Sequence, residues 1–166
     1  MFFEERQWDR IVFKPTIDQQ GRGVFYGGKE RIPALQEKLN AHLSLQDALA
    51  QPLIESVRTE GEYSFIFIDG EYSHIAVKKQ TSAELQVTRR TGGVTVEEMS
   101  PSGSFVREAE NIMRAVNEKL LYARIDAVTI KGRLHVMEIE LIEPVLYFQF
   151  HPSAAERFVE GIAKRL

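Results

Sequence analysis

A chain of 166 residues with 43% hydrophobic residues has enough apolar side chains for one domain or two small subdomains, which excludes a disordered chain. Its formal net charge of −3 comes without any block of lysine and arginine, so no nucleic-acid partner is expected. The absence of cysteine excludes a disulfide framework, a thiolate metal site and a cysteine nucleophile, and suits a reducing cytoplasm. The start, "MFFEERQWDR", is charged within four residues, and no apolar run is long enough to span a bilayer; a soluble, cytoplasmic protein with no membrane partner is expected.

In chain order, "RIVFKP" predicts a short strand closed by Pro15, and "IDQQGRG" a polar loop with Gly21 and Gly23 that leads into a second strand, "VFYGG". Ile32, Leu35, Leu39 and Leu43 fall at helical spacing, and "ALAQPLIESV" reads as a short strand interrupted at Pro52. A boundary is expected near Glu60 and Gly61, giving subdomains 1–60 and 61–166. "EYSFIFIDGEYSHIAVKK" is two alternating segments joined at Asp69-Gly70, a dipeptide suited to the positive φ angles of a tight hairpin turn. After a polar stretch, Phe105, Ala109, Ile112, Val116 and Leu120 form one helical stripe that should pack on a sheet. A second hairpin is predicted around Lys131-Gly132, and Ser153 with Glu156 reads as a capping box opening a last helix through Leu166. Antiparallel hairpins mixed with helices predict an α+β fold, not a doubly wound parallel sheet.

Within the second hairpin, "VMEIELIEP" places Glu138 and Glu140 on one face of a strand. On the preceding strand Tyr122, Arg124, Asp126 and Val128 share a face by the same alternation. A three-residue loop of Lys131, Gly132 and Arg133 would put Asp126 opposite Glu138 and Arg124 opposite Glu140, with all four on one side. A two-residue loop would pair Asp126 with Met137 and separate the acids, because a slip of one residue exchanges the faces. Three carboxylates beside one arginine make a hard-oxygen site suited to Mg²⁺. The same alternation also describes a solvent-facing row of acids on a half-exposed sheet.

"LYARIDAV" followed by "HVMEIELIEP" resembles the metal-binding hairpin that closes the ATP-grasp fold, in which an Arg-x-Asp strand precedes a Glu-x-Asn or Glu-x-Glu strand. "IVFKP" with "QQGRGV" resembles that family's lysine-bearing strand and phosphate-covering loop, and "AQPLIESVRTEGEYSFIFIDGEYSH" its hinge strand and central subdomain. "LLYARIDAV" through "PSAAERF" is similar to the branch related to prokaryotic glutathione synthetases and other carboxylate–amine ligases. The pieces occur in the family's order and cover nearly the whole chain. The resemblance implies two α+β subdomains with antiparallel sheets enclosing a nucleotide cleft.

By the same resemblance, Lys14 contacts the nucleotide phosphates while Gly21, Arg22 and Gly23 lie in the covering loop. Gln51, Pro52, Leu53 and Ile54 form the hinge that reads the adenine edge, and Glu60 sits near the acid that binds ribose. Asp126, Glu138 and Glu140 carry over as metal ligands for Mg²⁺, with Mn²⁺ as the alternative ion, and Arg124 as the catalytic cation beside the transferred phosphoryl group. Lys78, on the central hairpin, is read either as a cation for a phosphate or substrate carboxylate or as a solvated lysine. The implied chemistry is attack of a substrate carboxylate on the γ-phosphate of ATP, giving an acyl phosphate that an amine opens. Outside the resemblance, His42, His74, His135 and His151 show no ligand spacing and read as surface or packing residues. Trp8, Phe65 and Phe67 read as core.

Two departures matter. Family members carry an extra N-terminal domain and an earlier strand, whereas thirteen residues precede Lys14 here. The chain is therefore expected to be the later portion of such a ligase, with a missing N-terminal domain, a partner chain or a homodimer supplying the rest. Gln86 stands where relatives place an arginine for the acyl phosphate, with Arg89 or Arg90 as substitutes. The expected function is an ATP- and Mg²⁺-dependent carboxylate–amine ligase acting on a nucleotide and small carboxylate and amine substrates. The alternative is a catalytically degenerate nucleotide-binding or interaction module.

Overall fold

The computed structural model describes residues 2–17, 21–81 and 94–166. The chain divides into two compact units, one built on Met1–Glu55 and the other on Ser56–Leu85 and Gly93–Leu166. The division falls after Glu55, ahead of the expected Glu60. Its physical basis is the helical turn α3 (Ser56–Thr59), which is tied to the second unit: Ser56 Oγ donates to the Thr129 carbonyl at 2.5 Å.

The first unit has α1 (Phe2–Glu5), then a three-stranded antiparallel sheet of β1 (Arg10–Pro15), β2 (Phe25–Gly28) and β3 (Ala48–Pro52) in the order β2-β1-β3. Alternation puts Ile11 and Phe13 on one face of β1, where they meet Leu35, Ile32 and Leu39 of α2 (Ile32–Leu43) in a core completed by Phe3, with Trp8 packed on it. Gly27 lets α2 approach, since a Cβ there would lie 3.2 Å from Leu35 Cδ1.

The second unit is a five-stranded antiparallel sheet, order β6-β5-β4-β7-β8. Its strands are β4 (Glu62–Ile68), β5 (Glu71–Gln80), β6 (Val94–Glu98), β7 (Tyr122–Ile130) and β8 (Arg133–Glu140), with α4 (Gly103–Val116) and α5 (Pro152–Ala163). One face carries Tyr63, Phe65, Phe67, Ile75, Val77, Ala123, Ile125 and Ala127, packed against Ala109 and Met113 of α4. The opposite face buries Ile66, Ile68 and Ala76 with Leu146, Tyr147 and Ala154. The expected core roles of Phe65 and Phe67 therefore hold, as does the α4 stripe. No described helix is long and apolar enough to cross a membrane.

Both predicted hairpins turn on two residues with positive φ, Asp69 (52°) with Gly70 (81°) and Lys131 (52°) with Gly132 (75°). Each hairpin also contains a β-bulge. Phe67 pairs with Tyr72 but Ile66 with His74, leaving Ser73 extra; Ala127 pairs with Val136 but Asp126 with Glu138, leaving Met137 extra.

Four local expectations are corrected. The stripe predicted through Leu120 ends as helix at Val116, because Asn117 takes the left-handed conformation (φ 54°) that stops a helix; Leu120 still packs on the core. The Ser153–Glu156 capping box does not form: α5 starts at Pro152, whose fixed φ suits a first helical turn, so Ser153 is already inside the helix and no side chain caps it. α5 also ends at Ala163, short of Leu166. Val94–Glu98, read as part of a polar stretch, is the edge strand β6, whose half-exposed setting leaves little apolar alternation to detect.

Candidate active site

The turn at Lys131-Gly132 has two loop residues, since Ile130 pairs with Arg133. Counting back from such a turn alone would put Asp126 opposite Met137. The bulge at Met137 adds one residue to β8 and restores the other parity, so Asp126 faces Glu138 and Arg124 faces Glu140. The expected pairing is present, produced by a bulge and not by a longer loop.

The bulge in the first hairpin acts likewise. Without Ser73 as the extra residue, Glu62 would face Val77; with it, Glu62 pairs with Lys78. Lys78 thus lands on the face that carries Ser64 and Asp126, while Val77 remains in the core against α4. Two bulges in neighbouring hairpins therefore gather Glu62, Ser64, Lys78, Arg124, Asp126, Glu138 and Glu140 on one side of the sheet.

Asp126 is fully buried and is the centre of this cluster. Its Oδ1 accepts from Ser64 Oγ at 2.7 Å and Arg124 Nε at 2.9 Å; its Oδ2 accepts from Lys78 Nζ at 2.6 Å and Arg124 Nη2 at 2.8 Å. Burial alone would raise its pKa, but Lys78 and Arg124 outweigh that and hold the carboxyl below its ordinary value. Arg124 also donates to Glu140 and to the Val145 carbonyl at 3.3 Å, and its guanidinium lies 5.8 Å from the centre of the Tyr147 ring. Lys78 bridges to Glu62 Oε1 at 2.5 Å. Burial disfavours its charge, yet Glu62 and Asp126 more than offset this and raise its pKa, so it is a half-buried ion-pair partner and not a solvated lysine. Burial raises the Glu140 pKa; Arg124 opposes this, while Asp126 and Glu138 add to it.

One oxygen from each of Asp126, Glu138 and Glu140 lies within 4.8 Å of the others. Such closely placed carboxylates, all hard oxygen donors, fit Mg²⁺ or Mn²⁺ and do not fit a soft thiophilic ion. The formal charges fit as well. Glu62, Asp126, Glu138 and Glu140 against Lys78 and Arg124 leave −2, which one divalent ion neutralises.

The remaining predicted residues are not part of this cluster. Lys14 lies on β1 opposite Leu49, in the first unit. Gly21 (φ 68°) and Gly23 (φ 82°) form a turn, and a Cβ on Gly23 would lie 3.0 Å from Pro15 Cγ; Arg22 sits between them. Gln51 and Pro52 pair with Val12 and Ile11 on the edge strand β3, Leu53 N–H donates to the Arg10 carbonyl at 3.0 Å, and Ile54 follows. Glu60 accepts from Thr129 Oγ1 at 2.5 Å in the second unit. Gln86, Arg89 and Arg90 lie outside the described residues.

Sequence reasoning missed Ser64, Glu62 and Tyr147. A signal existed for Ser64, the one small polar side chain in "YSFIFI", where a buried polar group needs a partner. The histidines are also closer than their spacing suggested: the His74 and His151 rings are 5.4 Å apart, and His74 Nε2, 2.9 Å from the Leu146 carbonyl, is placed to donate to it.

No family model matches the chain. In sequence it is 33% identical over 174 residues to the cycloserine biosynthesis protein DcsG of Streptomyces lavendulae, covering 94% of this chain and 55% of that protein. In structure it matches D-cycloserine synthetase DcsG with a TM-score of 0.80 at 25% identity, over 99% of this chain and 58% of that one. It matches D-alanine–D-alanine ligase from Bacillus anthracis complexed with ATP with a TM-score of 0.66 at 15% identity, over 97% and 53%. A third match is the ATP-grasp ligase PsnB complexed with minimal precursor, Mg and ADP, with a TM-score of 0.62 at 13% identity, over 95% and 48%. The two antiparallel sheets are those of these ligases, and the chain has the ATP-grasp fold. Within that fold its sequence resembles DcsG, and it spans about half the length of the relatives it matches.

Proposed function

We propose that the chain is the nucleotide- and metal-binding portion of a cytoplasmic, ATP- and Mg²⁺-dependent carboxylate–amine ligase of the glutathione synthetase-like kind, working through an acyl phosphate. The observation that carries this is the register of β7 and β8, which sets Asp126, Glu138 and Glu140 beside Arg124 on one face. A cluster of anions interleaved with cations suits the transfer of a phosphoryl group, where catalysis is mainly positioning and charge neutralisation.

Asp126, Glu138 and Glu140 would hold the ion, which when bound supplies charge neutralisation at the phosphates. Arg124, held in orientation by Asp126, Glu140 and the Val145 carbonyl, presents a fixed positive charge to the transferred group. Lys14 and the Gly21–Arg22–Gly23 turn bind phosphates, where glycine allows backbone N–H groups to approach an anion. The outer side of the edge strand β3, at Gln51 to Ile54, supplies backbone groups to the adenine, and Glu60 reads ribose. Small amino-acid-like acids are the favoured substrates, a choice supported by the names of the relatives, D-cycloserine synthetase and D-alanine–D-alanine ligase. Because the chain spans about half the length of those relatives, full activity is read as needing a further N-terminal domain, a partner chain or a second copy.

Calorimetric titration with ATP tests this. Binding is expected to be tighter with Mg²⁺ than with EDTA, and Lys14→Met to weaken binding in both conditions, since it acts on the phosphates and not on the ion. Equal affinity with and without Mg²⁺ would contradict the assignment.

A further inference from the structure

A carboxylate offers about four acceptor positions, and protein donors fill all of them on Asp126. Ser64 and Arg124 Nε take Oδ1, and Lys78 and Arg124 Nη2 take Oδ2. A divalent ion that bonds this buried carboxylate must therefore displace one of those donors. The three side chains differ in how firmly they are held. Ser64 is fully buried on the central strand of the sheet. Arg124, 7% exposed, is also bound to Glu140 and the Val145 carbonyl and lies over Tyr147. Lys78 is 22% exposed, sits on a flexible four-carbon stem, and has a second carboxylate, Glu62, to keep when it leaves the first.

Resting on the metal-dependent function above, we propose that Lys78 is a placeholder cation: in the metal-free protein its ammonium occupies the position on Asp126 that the divalent ion takes, and metal loading turns it out. Two consequences follow from the exchange of one cation for another. Metal affinity in the absence of nucleotide is set by competition with an internal lysine, and Lys78 becomes available to an incoming phosphate or carboxylate only after the ion is in place. Lys78 thus acquires an order of use, ion before anion, from its own ion pairs. It also keeps Asp126 neutralised when no ion is present, which an uncompensated buried carboxylate would require.

Two measurements on the intact chain decide this, with Mn²⁺ as the probe and no nucleotide. The first is labelling by an amine-reactive reagent, read residue by residue by mass spectrometry. Labelling of Lys78 should rise several-fold on Mn²⁺ saturation, while that of exposed Lys38 stays constant. The second is the dissociation constant of Mn²⁺, followed by the electron paramagnetic resonance of the free ion. Lys78→Met should bind about tenfold more tightly or better, because no charge-assisted hydrogen bond has to be broken, whereas Lys78→Arg should remain weak. Mn²⁺ binding by the native chain with unchanged Lys78 labelling, or weaker binding by Lys78→Met, would overturn the placeholder and leave the metal site standing. Absence of Mn²⁺ binding in every form would remove the metal site and the placeholder together. Should Lys78→Met fail to fold, the labelling result on the native chain decides alone.

Discussion

Replacing Asp126 with Asn is expected to destabilise the second unit by about 3–5 kcal/mol, the range for removing one partner from a buried ion pair. The size follows from what is left behind. Arg124 would keep its charge in a buried setting with Glu140, half-buried Lys78 would keep its own with Glu62, and Ser64 would lose its anionic acceptor. An amide of the same shape still offers one oxygen, so packing is not the cause of the loss. Urea denaturation monitored by circular dichroism checks this; a change within about 0.5 kcal/mol, the usual span for surface substitutions, would mean the network contributes little.

Acid should act in the same direction in metal-free buffer. The Asp126 carboxyl is held below its ordinary 3.8 in the folded chain, so the unfolded state binds its proton first as pH falls. The stabilisation is therefore present above about pH 4 and is lost as pH drops through the depressed folded value. Asp126→Asn should flatten that part of the stability profile.

Glu138→Gln is expected to give the largest functional loss for the smallest structural cost. Glu138 is exposed on the edge strand β8, whereas Asp126 is buried and Glu140 is tied to Arg124. The substitution therefore removes a ligand charge with little effect on folding. Because affinity at such oxygen sites is tuned by ligand charge count, Mn²⁺ and Mg²⁺ binding should weaken by roughly tenfold or more, and nucleotide affinity should become insensitive to the ion. Unchanged Mn²⁺ affinity would remove Glu138 from the ligand set.

Much of the fold was legible because its turns are written in local chemistry. Asp69-Gly70 announces positive φ at both central positions, Gly132 marks the second turn, and the alternation around them defines β4, β5, β7 and β8. The composition of the site was legible for a different reason: Arg124, Asp126, Glu138 and Glu140 interrupt apolar strands at period two. How they come together was not legible. Each hairpin carries a bulge, and the extra residues, Ser73 and Met137, differ in no obvious way from the strand residues beside them. A bulge trades local ladder hydrogen bonds for a gain elsewhere in the sheet, and strand alternation carries no record of that trade. The cost of missing it was specific. A count through the first hairpin without its bulge would turn Lys78 away from Glu62, and the contact of Ser64 with Asp126 depends on the pairing of β4 with β7, two strands far apart in the chain. The false capping box at Ser153 has the opposite origin, a correct local pattern overridden by Pro152 one residue earlier.

The most direct test of the ligase assignment is ADP formation from ATP, measured against a panel of small acids and amino acids in the presence of Mg²⁺. The assay is run with this chain alone and with the chain supplied with the further N-terminal domain, partner chain or second copy proposed above; it covers 55% of the DcsG sequence. Positioning of reactants contributes roughly 7–11 kcal/mol to such reactions, so the chain alone should be slow or inactive with every acid. The completed protein should form ADP with at least one acid, strictly dependent on Mg²⁺ and abolished by Glu138→Gln. Failure of the completed protein to bind or turn over ATP with any acid would contradict the assignment and leave a nucleotide-independent interaction module of ATP-grasp fold.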